Sequence, residues 1–416
     1  MRPFLLATAS ILATLPASAQ DAPAYAPPDA LTDPAVLAVH DRLLTLDTHI
    51  DIGTESGTLD LDPGVITRAQ VDVPSMRIGG LDGGFFIVYV SQGDLDEAGY
   101  AEAQAAAEDK YRAIVRMVRG NRDDIEFARS ADEVEEIVGR GKLYALVGIE
   151  NSYPLGTTPE EVRERVAMWA DRGARYASIT HFGNNQFGGS SNPNLQRDEP
   201  RDPGLSDLGR VLVGTLNDHG IMVDISHVGA RTAADAMEAS RAPVIASHST
   251  AAAIYEHPRG LTDDQLRAIR DGGGVAQITA FRPYLADVDP ATSEAVAGVR
   301  ERLGLASGAD FRAASPATLL EYAREVRRAR EENPDVTLAT FIDHVVHAVE
   351  VAGVDHVGLS GDFDGGGGVE GWDGAADSAN VTAALLERGY SEEDLAKIWG
   401  GNLLRVMREV AAAAKE

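Results

Sequence analysis

The sequence predicts an α/β fold, a (β/α)8 barrel of the TIM type with a helical insertion between its seventh and eighth strands. Eight apolar runs, each nearly continuous in Val, Ile, Leu and Ala, recur along the 416 residues. Such runs are typical of strands buried on both faces of a parallel sheet. Segments with helical spacing separate them, and eight strand–helix units favour a closed barrel. An open doubly wound sheet is the alternative.

The predicted elements follow one another in regular order. The strands occupy residues 43–52, 83–91, 143–151, 174–182, 221–229, 243–250, 275–281 and 356–365. The helices between them include residues 99–120, 158–172, 204–219, 230–240 and 262–272. Residues 282–340 are charged and have helical spacing near 290–304 and 316–332. We interpret this stretch as an insertion over the mouth of the barrel, not as a separate domain.

The N-terminal residues have the three parts of a secretory signal peptide. Arg2 precedes an apolar run from Phe4 to Leu15, and the small residues Ala17-Ser18-Ala19 follow. The apolar run is too short to span a bilayer, so we expect cleavage and not a membrane anchor. We therefore predict a signal peptide over 1–19, an N-terminal extension over 20–33 and a single barrel domain over 34–416. The protein is expected to be exported, either periplasmic or secreted.

Composition narrows the classes of function. The formal net charge is −28, and such a surface repels phosphate backbones and anionic lipids, which argues against nucleic acid and membrane surfaces as partners. The chain has no cysteine, which excludes disulfides, thiolate nucleophiles and cysteine-ligated zinc. Any metal site must therefore use His, Asp and Glu.

Side chains suited to binding metal ions fall at the ends of six of the eight apolar runs. In chain order they are His49, Asp51, Glu150, His181, His227, His248 and Asp362. In a barrel the carboxyl ends of the strands meet on one face, where active sites lie. Taken singly, each residue is better explained as a hydrogen-bonded barrel residue, but their recurrence at strand ends predicts a metal site.

The spacing and composition of this set also fit a metal site. His49 and Asp51 are two apart on a strand, so they point to the same face and can reach one ion. Imidazole and carboxylate are suitable ligands for zinc. None of the four lysines ends a strand, which leaves Glu150, rather than a carbamylated lysine, to bridge two ions. The alternative for Glu150 is a salt bridge inside the barrel mouth.

Two further histidines receive a structural interpretation. His344 and His347 lie three residues apart on a predicted helix, a spacing that can bind metal. We expect them instead to straddle an amphipathic surface before the eighth strand.

Eight segments give the chain a resemblance to the membrane dipeptidase (renal dipeptidase) family of zinc peptidases. They are LDTHID, LVGIEN, SITHFGNN, VDISHVG, VIASHS with HPRGLTDDQL, HVGLSGDFDG and GGNLLRVMREV, in family order from about residue 43 to 410. The resemblance implies two zinc ions per chain. His49 and Asp51 would bind one ion, His227 and His248 the other, and Glu150 would bridge them.

The resemblance also implies roles in substrate binding and catalysis. His181 matches the histidine that contacts the substrate carbonyl, and Arg259 matches the arginine that holds the substrate carboxylate. Asp362 matches the acid that handles the proton of the bridging water, and Tyr284 falls where the family has a pocket tyrosine. Without the resemblance, Arg259 is better explained by a surface salt bridge with Glu256 or Asp263.

Two residues depart from the family pattern beside the metal ligands. Ile50 stands where the family usually has asparagine between the first two ligands, and Asn151 stands where glycine usually follows the bridging glutamate. Neither departure removes a ligand. The insertion over 282–340 is also longer than the resemblance leads us to expect.

These observations predict a zinc-dependent metallopeptidase, a binuclear dipeptidase. It would hydrolyse dipeptides with a free C-terminal carboxylate, using hydroxide generated from a water shared by the two ions. The first alternative is another metal-dependent amidohydrolase on the same barrel, acting on N-acyl amino acids, cyclic amides or β-lactams. The second is a binding protein without activity. The expected partner is a small-molecule substrate, no stable membrane anchor is expected, and the resemblance implies a homodimer.

Overall fold

The computed structural model describes residues 33–58, 61–67, 69–195, 199–306, 310, 314–332 and 336–415. The predicted signal peptide over 1–19 and the predicted extension over 20–33, except Asp33, lie outside the described residues. Among the described helices, none is both long and apolar enough to cross a bilayer.

Ten strands in the described residues form a parallel sheet. They are β1 (Leu46–Ile50), β2 (Gly83–Tyr89), β3 (Ile125–Phe127), β4 (Leu143–Glu150), β5 (Ala174–Ser178), β6 (Met222–Asp224), β7 (Ile245–Ala251), β8 (Gly260–Leu261), β9 (Val275–Thr279) and β10 (Val357–Ser360). Eight of them follow the order β1-β2-β4-β5-β6-β7-β9-β10, while β3 pairs with β4 and β8 pairs with β7.

Contacts between β1 and β10 bring the two ends of this sheet together. The Thr48 hydroxyl donates to the carbonyl of Leu359 at 3.0 Å, and the amide of Asp51 donates to the carbonyl of Phe363 at 2.8 Å. Ile50 and Phe363 form a parallel bridge. The predicted (β/α)8 barrel is therefore confirmed, and the open sheet is wrong.

Helices surround the barrel. They are α1 (Pro34–His40), α2 (Val73–Gly79), α3 (Glu97–Gly120), α4 (Ala131–Gly139), α5 (Pro159–Asp171), α6 (Asp207–Asp218), α7 (Ala230–Ala239), α8 (Asp263–Asp271), α9 (Arg282–Leu285), α10 (Pro290–Leu303), α11 (Pro316–Glu332), α12 (Leu338–Ala352), α13 (Ser378–Glu387), α14 (Glu392–Ala396) and α15 (Asn402–Ala412). Helices α9, α10 and α11 lie between β9 and β10, within residues 282–340.

Two layers of apolar side chains stabilise this arrangement. One layer, which includes Phe85, Tyr144 and Tyr176, packs with the C-terminal helix α15. The other packs the strands against the surrounding helices. All eight residues of β4 are buried, which explains why its sequence reads as a continuous apolar run.

Alternation along β4 carries one functional side chain to the mouth of the barrel. Tyr144, Leu146, Gly148 and Glu150 share one face, because successive side chains of a strand point to opposite sides. Tyr144 and Leu146 are buried apolar residues. Glu150 ends the strand and is only 3% exposed, so the fold places a buried carboxylate at the carboxyl end.

Candidate metal centre

The residues predicted as metal ligands converge at the carboxyl ends of the barrel strands. Three overlapping groups, each with ligand atoms within 4.8 Å of one another, contain all of them: His49, Glu150 and His248; Glu150, His181 and His227; His49, Asp51 and Asp362. Glu150 joins two of these groups. The structure therefore assembles a possible metal site from six separate segments of the chain.

The two carboxylate oxygens of Glu150 face different ligands. Oε1 lies 3.2 Å from Nε2 of His227 and 3.2 Å from Nε2 of His248, and these two nitrogens are 2.8 Å apart. Oε2 lies 3.4 Å from Nε2 of His49, which in turn is 3.7 Å from Oδ2 of Asp51. The donor atoms thus form two adjacent sets that share one carboxylate.

These separations suit divalent metal ions. In a tetrahedral zinc site with bonds of about 2.0 Å, neighbouring donor atoms lie roughly 3.3 Å apart. The donor separations around Glu150 span 2.8 to 3.7 Å. A donor set of three imidazoles and two carboxylates therefore fits one ion on each side of Glu150.

The imidazole of His49 is oriented by a hydrogen bond on its outer side. Its Nδ1 lies 2.9 Å from the hydroxyl of Tyr176, which donates to the carbonyl of Thr48 at 3.1 Å. The Tyr176 hydroxyl therefore accepts from Nδ1–H, and Nε2 is left to face the carboxylates. Gly148 makes room for this tyrosine, since a Cβ at that position would lie 2.5 Å from its ring.

A second hydrogen-bonded chain orients His248. Its Nδ1 lies 2.8 Å from the hydroxyl of Ser247, and that hydroxyl donates to Oδ2 of Asp224 at 2.6 Å. Asp224 also accepts from the amides of Ser226 and Ser247 at 3.0 and 2.8 Å. A buried carboxylate therefore fixes the tautomer of His248 through one serine, with Nε2 pointing at Glu150.

The backbone at the strand ends is unusual in a way that places these side chains. Of the described non-glycine residues, only Asn151, His227, Asp362 and Asp364 have positive φ, from 51° to 71°. All four lie within four residues of the carboxyl end of a barrel strand. Because this conformation disfavours most side chains, it persists where surrounding contacts hold it, often at functional sites.

Charge and burial set the protonation of the ligands in the metal-free chain. Burial lowers the pKa of His227 and of His248 well below the usual value, so both are neutral and able to bind metal. Burial alone would raise the pKa of Glu150, but His49 and its other histidine neighbours hold it well below the usual range. For His49, the attraction of Glu150 and Asp51 outweighs burial and raises the pKa well above normal.

Asp362 and His181 have different environments at the same mouth. Burial, together with the charges of Glu150 and Asp51, raises the pKa of Asp362 to about 8. Burial lowers the pKa of His181, whose Nε2 lies 3.9 Å from Oε1 of Glu150. The site therefore combines a carboxyl that readily holds a proton with a neutral imidazole.

Arg259 lies inside the mouth of the barrel and is 3% exposed. Its Nη2 donates to the carbonyl of His248 at 2.7 Å, and its guanidinium carbon lies 5.4 Å from the ring centre of Tyr284. The alternative of a surface salt bridge is therefore wrong. Nε of Arg259 is buried without a hydrogen-bond partner among the described residues, and burial raises the pKa of Tyr284 to about 12.

Lys110 is a contact of the site that sequence reasoning missed. It lies on α3, and its Nζ donates to Oδ1 of Asp51 at 3.2 Å and to the carbonyl of Ile52 at 2.7 Å. The strand-end pattern could not reveal it, because Lys110 reaches the site from a helix. Tyr176, Ser247 and Asp224 were missed because their contacts depend on the register between strands.

The two departures from the family pattern are explained by their surroundings. Ile50 is fully buried and packs in the layer between strands and helices. Asn151 has φ of 71°, a conformation that glycine and asparagine tolerate best. Its side chain donates to the carbonyl of Val90 at 3.0 Å and accepts from Asn185 at 3.0 Å.

The expectation for His344 is wrong. This residue is fully buried, and its Nδ1 accepts from the amide of Ala251 at 3.1 Å while Nε2 contacts the carbonyl of Leu285 at 3.0 Å. It therefore ties α12 to β7 and α9 and is not part of an amphipathic surface. His347 is partly buried and lies 2.8 Å from Asp263.

Sequence comparison relates the chain to one family over almost its whole described length. The sequence model of the membrane dipeptidases, peptidase family M19, matches residues 35–416. Dipeptidase tcpJ of Claviceps purpurea is 30% identical over 350 residues, which is 83% of this chain and 70% of that protein. Dipeptidase aclJ of Aspergillus oryzae is 30% identical over 353 residues, 83% of this chain and 71% of that protein.

Solved structures give the same relationship. The probable dipeptidase PvdM from Pseudomonas aeruginosa is 31% identical with a TM-score of 0.78, and the match covers 91% of this chain and 98% of that chain. A metallo peptidase from Rhodobacter sphaeroides, liganded with a phosphinate mimic of the dipeptide L-Ala-D-Ala, shares the fold. It is 22% identical with a TM-score of 0.67, covering 88% of this chain and 99% of that chain.

Proposed function

This chain belongs to the membrane dipeptidase family of metal-dependent peptidases, and we propose that it holds two zinc ions and hydrolyses dipeptides with a free C-terminal carboxylate. One observation carries the proposal. The two oxygens of Glu150 each face their own set of donor atoms, His227 and His248 on one side and His49 with Asp51 on the other. A shared carboxylate of this kind suits a two-ion site.

Arg259 supports the requirement for a free carboxylate. Arg259 is 3% exposed, and its Nε–H has no hydrogen-bond partner among the described residues. We therefore expect this buried cation to bind an anion. Its planar fork suits a carboxylate, with which it can form two parallel hydrogen bonds. In a substrate two residues long, this contact would hold the C-terminal end and leave the single peptide bond beside Glu150.

The protein's own side chains suit the steps of peptide hydrolysis. Bound divalent ions supply Lewis acidity and lower the pKa of a water toward neutrality. Asp362, whose pKa in the metal-free chain is raised by burial to about 8, takes a proton and passes it to the leaving amine. His181, neutral because burial lowers its pKa, donates a hydrogen bond to the oxyanion that develops on the carbonyl.

The proposal is tested with zinc-loaded full-length chain and a panel of unmodified L,L and L,D dipeptides. We expect hydrolysis of at least part of the panel, and loss of activity in Glu150→Gln because one bridging oxygen is lost. Glu135→Gln is the matched control, since this exposed glutamate pairs with Arg408 on the surface. A fully loaded chain that hydrolyses no dipeptide would refute the proposal, and hydrolysis of N-acyl amino acids alone would favour the other amidohydrolase.

We also propose that the protein is exported as a periplasmic or secreted enzyme and that it forms a homodimer. Export is supported by the basic, apolar and small-residue segments of residues 1–19. The homodimer is supported by the family resemblance alone. Mass spectrometry of the mature N-terminus tests the first, with a start at Gln20 expected, and light scattering tests the second.

A further inference from the structure

A large cavity adjoins the metal centre at one end. Its volume is about 1240 Å³, and it is lined by Asp51 and Gly365 at the metal centre and by residues of α10 and α11 at its far side. Cavities that bind drug-sized molecules usually measure about 300–1,000 Å³. A dipeptide of two small residues is far smaller than a drug-sized molecule, so it would leave most of this space unfilled.

Much of the cavity wall is apolar. It includes Ile52, Val71, Phe281, Val288, Val296 and Val326. Phe281 stacks on Tyr284 with ring centres 4.2 Å apart, and Tyr284 lies next to Arg259. Phe281 therefore marks the side of the cavity nearest Tyr284, and both Tyr284 and Arg259 lie outside the cavity lining. This apolar part of the wall favours an apolar group, because burying apolar area is favourable in proportion to that area, while charged residues such as Glu55, Asp287 and Arg300 line other parts of the cavity.

The order of contacts across the site tells which end of a dipeptide faces the cavity. Arg259 bonds to the carbonyl of His248, and His248 faces Oε1 of Glu150. Asp51 lies on the opposite side, next to His49 and Oε2. Asp51 lines the cavity, whereas Arg259 is not among its lining residues. A dipeptide with its carboxylate on Arg259 would therefore direct its N-terminal residue toward Asp51 and the cavity.

From this arrangement we propose that the cavity receives the side chain of the N-terminal residue, and that the enzyme prefers dipeptides in which this side chain is large and apolar. The inference rests on the proposed dipeptidase function and names the substrate class of that site. It also assigns a role to α10 and α11: these helices supply the far wall of the cavity and thereby set the size of the side chain that fits.

The direct test is a substrate series on the zinc-loaded, full-length chain. The compounds are L-X-L-Ala with X as alanine, leucine, phenylalanine, tryptophan and 2-naphthylalanine, together with N-decanoyl-L-alanine. In an apolar pocket a single methylene changes kcat/KM by about tenfold or more. We expect kcat/KM to rise along the series, at least tenfold from alanine to 2-naphthylalanine. The reversed series L-Ala-L-X should show a smaller rise.

Each result has a definite meaning. Hydrolysis of dipeptides with a flat or falling series would overturn the inference and leave the dipeptidase function standing. A preference for N-decanoyl-L-alanine over every dipeptide would overturn both, because the cavity would then serve an acyl chain. Failure to hydrolyse any compound also overturns both.

A matched pair of variants on α10 locates the effect. Val296 lines the cavity, so Val296→Trp should lower the ratio of kcat/KM for 2-naphthylalanyl-alanine over alanyl-alanine at least tenfold. Glu294→Trp, at an exposed position of the same helix outside the cavity lining, should leave the ratio unchanged. Ala297→Trp is a second cavity variant if the first does not fold. An unchanged ratio in a folded, zinc-loaded cavity variant contradicts the inference.

Discussion

The hydrogen-bonded chain from Asp224 through Ser247 to His248 makes a quantitative prediction about metal binding. Ser247→Ala removes a hydroxyl that lies 2.8 Å from Nδ1 of His248 and 2.6 Å from Oδ2 of Asp224. The imidazole then keeps its position on β7 but loses the partner that fixes its tautomer and orientation. Removal of such an outer partner of a metal ligand typically weakens metal binding by about 10- to 100-fold.

The same substitution also affects the metal-free protein. Nδ1 of His248 is left buried without its partner, which costs about 1–3 kcal/mol. Asp224 loses less, because the amides of Ser226 and Ser247 still donate to Oδ1. We therefore expect Ser247→Ala to destabilise the metal-free chain modestly and, in addition, to reduce the stabilisation gained from zinc by about 1.4–2.7 kcal/mol.

The assay is thermal and denaturant unfolding with and without saturating zinc, combined with competition against a chelator of known affinity. Ser249→Ala is the control, since this equally buried hydroxyl on β7 bonds to Ser226 instead of an imidazole. If Ser247→Ala lowers metal-free and zinc-loaded stability equally, with zinc affinity within threefold of the wild type, the reasoning about His248 is refuted.

Three further predictions concern the substrate pocket, the pH dependence and the strand ends. Arg259→Met should lower kcat/KM for L-Ala-L-Ala on the order of a hundredfold, since it removes a charged hydrogen-bond donor. The kcat/KM for L-Ala-L-Ala amide, which lacks the free carboxylate, should fall far less. An equal loss for both substrates would contradict the role of Arg259 in binding the carboxylate. In the metal-free chain burial raises the pKa of Asp362 from 3.8 to about 8, so this group makes the folded state less stable as the pH rises from about 4 to 8. The stability of Asp362→Asn relative to wild type should therefore increase over that interval, and a pH-independent difference would refute it. Asn151→Ala should lower the free energy of unfolding by about 1–3 kcal/mol, and more than Asn151→Gly does, because alanine is also strained at φ of 71°.

The barrel was predictable because its strands are buried on both faces. Such strands give continuous apolar runs, and each predicted run overlaps one strand of the main sheet. The short strands β3 and β8 were missed because neither lies in an apolar run of the sequence. The ligands were predictable because a polar side chain at the end of an apolar run, such as Glu150 at the end of β4, interrupts the apolar pattern.

The remaining features depend on tertiary structure. His227 follows a strand of only three residues and has φ of 65°. Local sequence does not predict a positive φ at a non-glycine residue. Lys110 reaches Asp51 from α3, and the cavity arises only where α10 and α11 face the barrel mouth. Such contacts join segments far apart in the chain, so local patterns do not reveal them.

The central claim is that Glu150 divides its two oxygens between two ions, and a zinc titration of metal-free protein tests it most directly. Bound zinc is measured by elemental analysis, and hydrolysis of a dipeptide identified in the panel is followed on the same samples. We predict that binding saturates at two zinc ions per chain and that activity is maximal when both are bound. Saturation at one ion per chain, or full activity in the metal-free protein, would contradict the claim.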